Sequence, residues 1–380
     1  MSTNLLSGLL AFVLLEGLVR TIATHRAGGI TVGSVLLRPT WRETLARSRE
    51  LFPAASELRD HKAFFNYDPE LGWTVGANRR SADGLYFSSH EGLRSPGPDL
   101  RFANLHRPYR VALVGDLHAF SFEVPFEAFW GFYLQKQIGE NIQVLNFGVD
   151  GYGIDQAYLR YLRDVRPWKP QVVIIGFSGH DLRRSMAVYP FLSFGWPGYL
   201  VKPRFDLASG ALRQINAPLP SPESILNAEQ PGQLPFVEHD LGYLREDWHW
   251  QWEHRPLFLR FLTSVFPRWP LADDRVSVQA DTALNSRLFA EWARSIADAG
   301  SVALFVLMSG GNSLVKDSLP RAGLSYLDAS ECVKGIPEDR LKVPPANHHY
   351  TGETNQAIAL CTALAILRAL ENSRKSTSRL

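Results

Sequence analysis

The chain reads YRVALVGDLH over residues 109–118, and this stretch indicates the type of fold. Residues 110–115 form a short, mostly apolar run with β-branched side chains, which is typical of a strand covered on both faces. The run ends at Gly115 and Asp116, and a helical stretch follows within a few residues. A strand, a sharp turn and a helix in this order predict a βα unit of a parallel sheet.

The same pattern recurs along the rest of the chain. The predicted strands span residues 110–115, 143–147, 171–177, 302–308 and 324–327. Apolar side chains recur at helical spacing at Ile154, Tyr158, Leu162 and Val165, and again at Leu288, Trp292 and Ile296. A last helix is predicted over residues 351–370. Together these patterns predict the α/β class, as a flavodoxin-like three-layer α/β/α sandwich with a five-stranded parallel sheet.

Composition divides the chain into further segments. We predict an apolar helix over residues 1–22 and a turn-rich lead-in segment over residues 23–108. The main domain is predicted over residues 109–372, and a polar tail follows over residues 373–380. Residues 185–280 are dense in Pro, Trp and Phe and predict an inserted aromatic-rich subdomain, with a β-hairpin at residues 202–207 and 211–216. An insertion after the third strand either shapes the ligand crevice or packs against the domain. The alternating tryptophans of residues 248–252 fit sugar stacking and a half-buried strand equally well.

Charge and cysteine content narrow the classes of partner. The chain has 380 residues, 45% of them hydrophobic, and a net charge of +2, which is too small to attract a phosphate backbone. We therefore predict no nucleic-acid partner, and we predict no cofactor. Cys332 and Cys361 have neither the spacing of a metal site nor the density of a disulfide scaffold, and a single bridge between them remains open.

The N-terminal residues have a membrane signature. Residues 1–15 carry no charged side chain, but the apolar run is shorter than the roughly 20 residues of a full span. We predict a signal-type segment or an anchor, with membrane association through residues 5–22 and a place in the cell envelope, anchored or exported. The alternatives are a cytoplasmic protein and a helix folded onto the domain, on which Glu16 and Arg20 would form an i,i+4 pair.

Four short blocks carry the residues suited to chemistry. They are Gly115-Asp116-Leu117, the stretch NFGVDGYG at residues 146–153, FSGHD at residues 177–181, and ANHHY at residues 346–350. The first three follow predicted strands, and the carboxyl ends of parallel strands meet at one edge of a sheet. We therefore expect Asp116, Leu117, Gly151, His180 and His349 to surround one crevice.

The order and placement of these blocks resemble the SGNH (GDSL-type) hydrolases. The Gly92-Leu93-Arg94 element of the lead-in segment and the short N-terminal apolar helix are similar to envelope-associated bacterial members. The resemblance covers residues 109–370, interrupted by the insertion. It implies that Leu117 stands where the family has its nucleophilic serine, that Gly151 and His180 stand at the oxyanion positions, and that His349 is the base. His180 replaces an asparagine, and Ala346 replaces the aspartate that orients the histidine.

The resemblance implies hydrolysis or transfer of acyl esters, such as O-acetyl groups, with an acylated small molecule or an exported or envelope glycan as the partner. Leu117 has no hydroxyl, and Ala346 leaves His349 without its expected carboxylate. We therefore expect catalysis to be lost or impaired.

Several alternatives remain open. In one alternative the chain is a non-catalytic protein that binds a glycan or acyl ligand. In a second it is an envelope-assembly protein, and in a third it is an altered copy of an active esterase. Catalysis could otherwise survive through Ser121, through Asp116, or through water activated by His349. A metal site built from His118, His180, His349, Asp116 and Asp181 has no recognised ligand spacing, so we predict no metal. His348 could exchange roles with His349. The sequence does not indicate an oligomeric state.

Overall fold

The computed structural model describes residues 2–26, 29–51, 64–196, 198, 200–208, 210–243, 245, 256–266, 278–345 and 349–377. The chain divides into two compact units. The first comprises residues 1–59, 188–201 and 220–277, and the second comprises residues 60–187, 202–219 and 278–380. The predicted insertion is therefore shared between both units. The predicted domain boundaries remain predictions.

The second unit is built on a five-stranded parallel sheet. Its strands are β1 (Tyr109–Gly115), β2 (Ile142–Asn146), β3 (Val172–Ser178), β4 (Val302–Ser309) and β5 (Leu327–Asp328). The order across the sheet is β5-β4-β3-β1-β2, and each neighbouring pair is parallel. At the centre, Ile174 lies between Leu113 and Leu304. This confirms the predicted sheet.

The fifth strand begins three residues later than predicted. Residue Leu324 donates its amide to the carbonyl of Leu319 at 3.0 Å, and Gly323 takes a φ of +72°. Both residues therefore close the end of the preceding helix, which needs partners for its last carbonyls. The strand is then limited to Leu327–Asp328.

Helices cover both faces of the sheet. They are α1 (Leu117–Phe120), α2 (Trp130–Ile138), α3 (Ile154–Arg160), α4 (Gly179–Arg184), α5 (Val278–Asp298), α6 (Ser313–Arg321), α7 (Ala329–Cys332), α8 (Glu338–Leu341) and α9 (Gly352–Thr377). On one face, Trp130 and Ile358 pack with Leu113 and Ile174. On the other face, Phe289 packs edge-on against Phe177 and Phe305. This double burial explains why the strands read as continuous apolar runs.

Short elements complete the second unit. Antiparallel pairs join Phe65–Asp68 to Gly72–Val75, Phe87–Ser88 to Arg94–Ser95, and Phe205–Ala208 to Ala211–Gln214. The last pair confirms the predicted hairpin. Single helical turns span Phe102–Asn104, Phe126–Ala128 and Arg166–Trp168, and a π-helical turn at Tyr161–Val165 extends α3.

The first unit begins with the predicted apolar helix, Ser2–Ile22. An antiparallel sheet of Ala23–Arg26, Gly29–Val32 and Val35–Leu36 follows, with helices at Trp41–Leu51, Pro190–Ser193, Pro222–Leu226 and Leu257–Val265 and 3-10 turns at Pro231–Gln233 and Val237–His239. Glu16 pairs with Arg20 at 2.6 Å, as predicted. Its carboxylate also accepts the amides of Leu257 (3.1 Å) and Phe258 (2.8 Å). Glu16 therefore caps the helix Leu257–Val265.

The N-terminal helix leaves an apolar stripe in solvent. Its exposed members are Leu6, Leu9, Leu10, Val13 and Leu14, and the first of them is 72% exposed. Such positions recur every three to four residues and form one continuous face. Among the described helices, none combines the length and the apolar character that a membrane crossing requires.

A disulfide joins α7 to α9. Cys332 and Cys361 are bonded, with their Cα atoms 5.9 Å apart. The sequence analysis left this bridge open, because pairing depends on how two helices pack, and the two cysteines lie 29 residues apart in the chain. Closing a loop of this length reduces the entropy of the unfolded chain.

We expect reduction of this disulfide to lower the free energy of unfolding by about 3 to 4 kcal/mol, the entropy of closing such a loop. Urea unfolding with and without dithiothreitol measures the change. A double variant, Cys332→Ser with Cys361→Ser, is the control, since dithiothreitol should not alter its midpoint. Equal stability of the oxidised and reduced protein would contradict the prediction.

Candidate functional site

The turn after β1 is held by its own side chains and by a close backbone contact. Asp116 accepts the amide of His118 at 2.8 Å and so caps α1. Gly115 takes a φ of +148°, and a Cβ there would lie 1.8 Å from the carbonyl oxygen of Gly176. Only glycine fits this position, which explains the sharp turn directly after the strand.

His118 lies between Asp116 and a serine from β4. Its Nδ1 is 3.3 Å from Oδ2 of Asp116, and its Nε2 is 3.1 Å from Oγ of Ser309. Asp116 is buried, with a side chain 1% exposed, whereas the side chain of His118 is 10% exposed. The sequence analysis placed Asp116 and His118 at this edge but did not connect them to Ser309.

Beneath this turn, one arginine links two buried carboxylates. Arg184 donates to Asp181 at 2.5 Å and to Asp116 at 3.4 Å. Burial opposes the ionisation of Asp116, but the charges and hydrogen bonds of His118 and Arg184 outweigh it and hold the pKa of Asp116 well below its usual range. Burial and the neighbouring Asp116 raise the pKa of Asp181. The surroundings thus shift the two carboxylates in opposite directions and favour the ionised form of Asp116, which suits a carboxylate that orients a histidine.

His349 also has a carboxylate beside it. Its Nδ1 is 3.0 Å from Oε2 of Glu123, a contact that is an ion pair only when the ring is protonated; the two side chains are 13% and 28% exposed. Residue 346 is an alanine and cannot supply the carboxylate expected there, but the loop after α1 supplies another one. Burial lowers the pKa of His349 below its ordinary value of 6.5, and Glu123 offsets part of this effect. Ala346 and His348 lie outside the described residues.

The two histidines lie close together. The ring centroids of His118 and His349 are 5.8 Å apart, and Phe122 is 5.6 Å from His349. The side chain of Tyr350 also lies 5.8 Å from the ring of His118 and donates its hydroxyl to the carbonyl of Met308, the residue before Ser309. Residues from the first turn, from the end of β4 and from the segment before α9 therefore meet at one place.

A buried arginine shapes the loop that carries Glu123. Arg94 donates to the carbonyls of Phe120 and Ser121, both at 2.5 Å, and also to the carbonyl of Val124. Glu123 itself takes a left-handed φ of +65°, and its amide donates to the hydroxyl of Tyr86 at 2.6 Å. Arg94 and Tyr86 therefore hold Glu123 in a backbone conformation that a glutamate rarely adopts.

The remaining predicted residues lie around this centre. Leu117 is half-buried in the first turn of α1, and Gly151 is buried with a φ of +76°. Asp150, beside Gly151, is close enough to raise the pKa of His349. His180 is exposed at the start of α4. Burial and the nearby charges of Arg184 and His118 lower the pKa of His180. The roles predicted for these residues remain proposals.

One nucleophile considered in the sequence analysis, Ser121, has little support here. Ser121 is buried at a φ of +60°, and its carbonyl is tied to Arg94. In the described part of the chain, no group of three or more histidine, cysteine or carboxylate side chains is arranged to hold a metal ion. Sequence reasoning missed Glu123 and Ser309. Ser309 could have been found, because it directly follows the predicted strand 302–308.

A comparison with protein-family models gave no match, and a comparison with curated protein sequences gave none either. Solved structures did match. A lipolytic protein of the G-D-S-L family from Desulfitobacterium hafniense is 12% identical, with 67% of this chain and 97% of that chain covered and a TM-score of 0.35. The lipase/acylhydrolase from Enterococcus faecalis is 10% identical over 68% and 95% of the two chains, with a TM-score of 0.35. An acetyl-xylooligosaccharide esterase from Geobacillus is 13% identical over 67% and 93%, with a TM-score of 0.33. Such low values do not transfer an activity, so the chemistry rests on the residues of the site.

The contact between His349 and Glu123 predicts a measurable effect on titration. We expect the pKa of His349 to lie below 6.5 and to fall further in Glu123→Gln, because the substitution removes the negative charge that stabilises the protonated ring. Titration of the histidine ring signals by NMR measures both values. The matched control is Glu127→Gln, an exposed carboxylate of the same loop, which should leave His349 unchanged. A pKa of His349 that is equal or higher in Glu123→Gln would refute the contact.

Proposed function

We propose that the second unit serves the hydrolysis or transfer of acyl esters, such as O-acetyl groups, on an exported or envelope glycan, with His349 as general base. The observation that carries the proposal is the 3.0 Å contact between Nδ1 of His349 and Oε2 of Glu123. A carboxylate at Nδ1 favours the tautomer with a proton on that nitrogen, so Nε2 carries the lone pair that can accept a proton. A lowered pKa keeps the ring neutral near pH 7, the state that a base requires.

The ordinary serine route cannot begin at residue 117. Leucine has no proton to give to a base and no oxygen to form an acyl intermediate, and loss of a triad nucleophile costs several orders of magnitude in rate. The proposed site therefore acts either through water activated by His349 or through another nucleophile. Leu117 favours the second candidate function, a non-catalytic protein that binds an acylated glycan in the same crevice.

We also propose that the chain works at a membrane surface in the cell envelope. The apolar stripe of the N-terminal helix supports this proposal, because burial of its leucine and valine side chains in lipid would remove apolar area from water. The disulfide between Cys332 and Cys361 is a second argument, since such bonds persist in oxidising compartments.

The ester proposal predicts release of p-nitrophenol from p-nitrophenyl acetate, with kcat/KM falling about 100-fold or more in His349→Ala, the usual contribution of a general base. The control is His239→Ala, which replaces an exposed histidine and should keep the wild-type rate.

Leu117→Ser, in the same assay, adds the missing hydroxyl and should raise the rate of hydrolysis if the remaining groups are aligned. No turnover together with saturable binding of an acetylated oligosaccharide would reject the enzyme and favour the binding protein.

The membrane proposal predicts that the protein floats with vesicles of phosphatidylglycerol and phosphatidylethanolamine in a density gradient. A variant with Leu9→Ser, Leu10→Ser and Val13→Ser should remain at the bottom, because about 25 cal/mol is lost for each square ångström of apolar area no longer buried in lipid. Leu360→Ser, an exposed leucine on α9, is the matched control and should float as before. Equal flotation of the triple variant would count against the stripe.

A further inference from the structure

Ser309 has no part in the proposed function, yet it belongs to a complete relay of side chains. It ends β4, and its Oγ is 3.1 Å from Nε2 of His118. The same histidine places Nδ1 3.3 Å from Oδ2 of Asp116. A hydroxyl, an imidazole and a carboxylate in this order form the arrangement that activates a serine for attack on a carbonyl.

The contacts of Asp116 are consistent with that use. The positive charge and the hydrogen bond of Arg184 favour the carboxylate form of Asp116. An ionised carboxylate at Nδ1 favours the tautomer protonated on that nitrogen, so Nε2 accepts the hydrogen bond of the Ser309 hydroxyl. The backbone amide of His118 donates to Asp116 as well, at 2.8 Å. The carboxylate therefore contacts both the ring and the main chain of His118, which restricts the orientation of the ring.

The surroundings of Ser309 leave it reachable. Ser309 is half-buried, and it is followed by the exposed Gly310 and Gly311. A Cβ on Gly179 would lie 2.1 Å from the carbonyl oxygen of Gly310, so the turn after β4 packs against the turn that carries His180. Ser309 thus lies at the same edge of the sheet as the blocks identified in the sequence, beside a turn with small residues that a substrate can approach.

We propose that Ser309 is the nucleophile of this site, with His118 as its general base and Asp116 as the carboxylate that positions His118. The inference rests on the proposed function for its substrate class, an acyl ester. It goes beyond that function because it assigns the attacking oxygen to β4 instead of the turn after β1. Leu117 then marks a relocated nucleophile and not a lost activity.

The reaction proceeds in two balanced steps. Oγ of Ser309 bonds to the ester carbonyl carbon while its proton moves to Nε2 of His118; the bond from that carbon to the alcohol oxygen then breaks, and the alcohol leaves with the proton. Next, water or an acceptor hydroxyl adds to the acyl carbon and gives its proton to His349, whose ring is 5.8 Å from that of His118. The bond from the acyl carbon to Oγ then breaks, and Oγ takes up a proton from solvent water through Nε2 of His118. His349 gives its proton to solvent, and the acid or the new ester is released.

Labelling tests the nucleophile directly. We expect an alkyl fluorophosphonate to modify the full-length wild-type protein once, with peptide mass spectrometry placing the adduct on Ser309. Ser309→Ala should lose the label and should lower the hydrolysis of p-nitrophenyl acetate by about three orders of magnitude. His118→Ala should slow labelling strongly, because the hydroxyl loses its base. Ser313→Ala, an exposed serine four residues further on, is the matched control and should behave as wild type.

The outcomes separate this inference from the proposed function. Hydrolysis that persists in Ser309→Ala, or an adduct on another residue, overturns the role of Ser309 and leaves the ester proposal standing. An adduct on Ser309 without turnover of any tested ester supports the activated serine and rejects the ester proposal. Neither label nor turnover overturns both. The adduct is mapped on the wild-type protein, so the result does not depend on the folding of a variant.

Discussion

The buried contact of Arg184 with Asp116 and Asp181 is the interaction on which the site depends. Asp116 lies in the turn after β1, and Asp181 lies in α4, directly after β3. The side chains of Arg184, Asp116 and Asp181 are at most 8% exposed. Removing one partner of a buried ion pair leaves an uncompensated charge and typically costs about 3–5 kcal/mol. Arg184 therefore fixes the turns after β1 and β3 to one another. It also keeps Asp116 ionised, and so determines how His118 is oriented.

Two histidines share the edge of the sheet, each with its own carboxylate. His118 is paired with Asp116 inside the first turn, and His349 is paired with Glu123 from the loop after α1. The loop that provides Glu123 is shaped by the buried guanidinium of Arg94, whose pKa burial lowers to about 9. A buried cation is stable there because three backbone carbonyls accept its hydrogens. Residues outside the four sequence blocks thus complete the site.

Much of the fold could be predicted from local patterns. Four of the five strands match within two residues at each end, because strands buried on both faces are apolar throughout. The fifth strand was misplaced, since Leu324 is used to close α6 and not to extend the sheet. The site was predicted only in outline. The edge of the sheet and the residues at its turns followed from strand order, but neither Glu123 nor Ser309 carried a local signal strong enough to assign it a partner.

The sequence by itself determined the class of fold, the edge at which polar turns gather, and the absence of a hydroxyl at residue 117. These depend on periodicity and composition within a few residues. Only the tertiary structure decided which groups contact each histidine. His118 and Ser309 lie 191 residues apart in the chain, and Glu123 reaches His349 from a left-handed backbone conformation. Such contacts depend on how distant turns pack to within an ångström, and no local pattern of side chains encodes that distance.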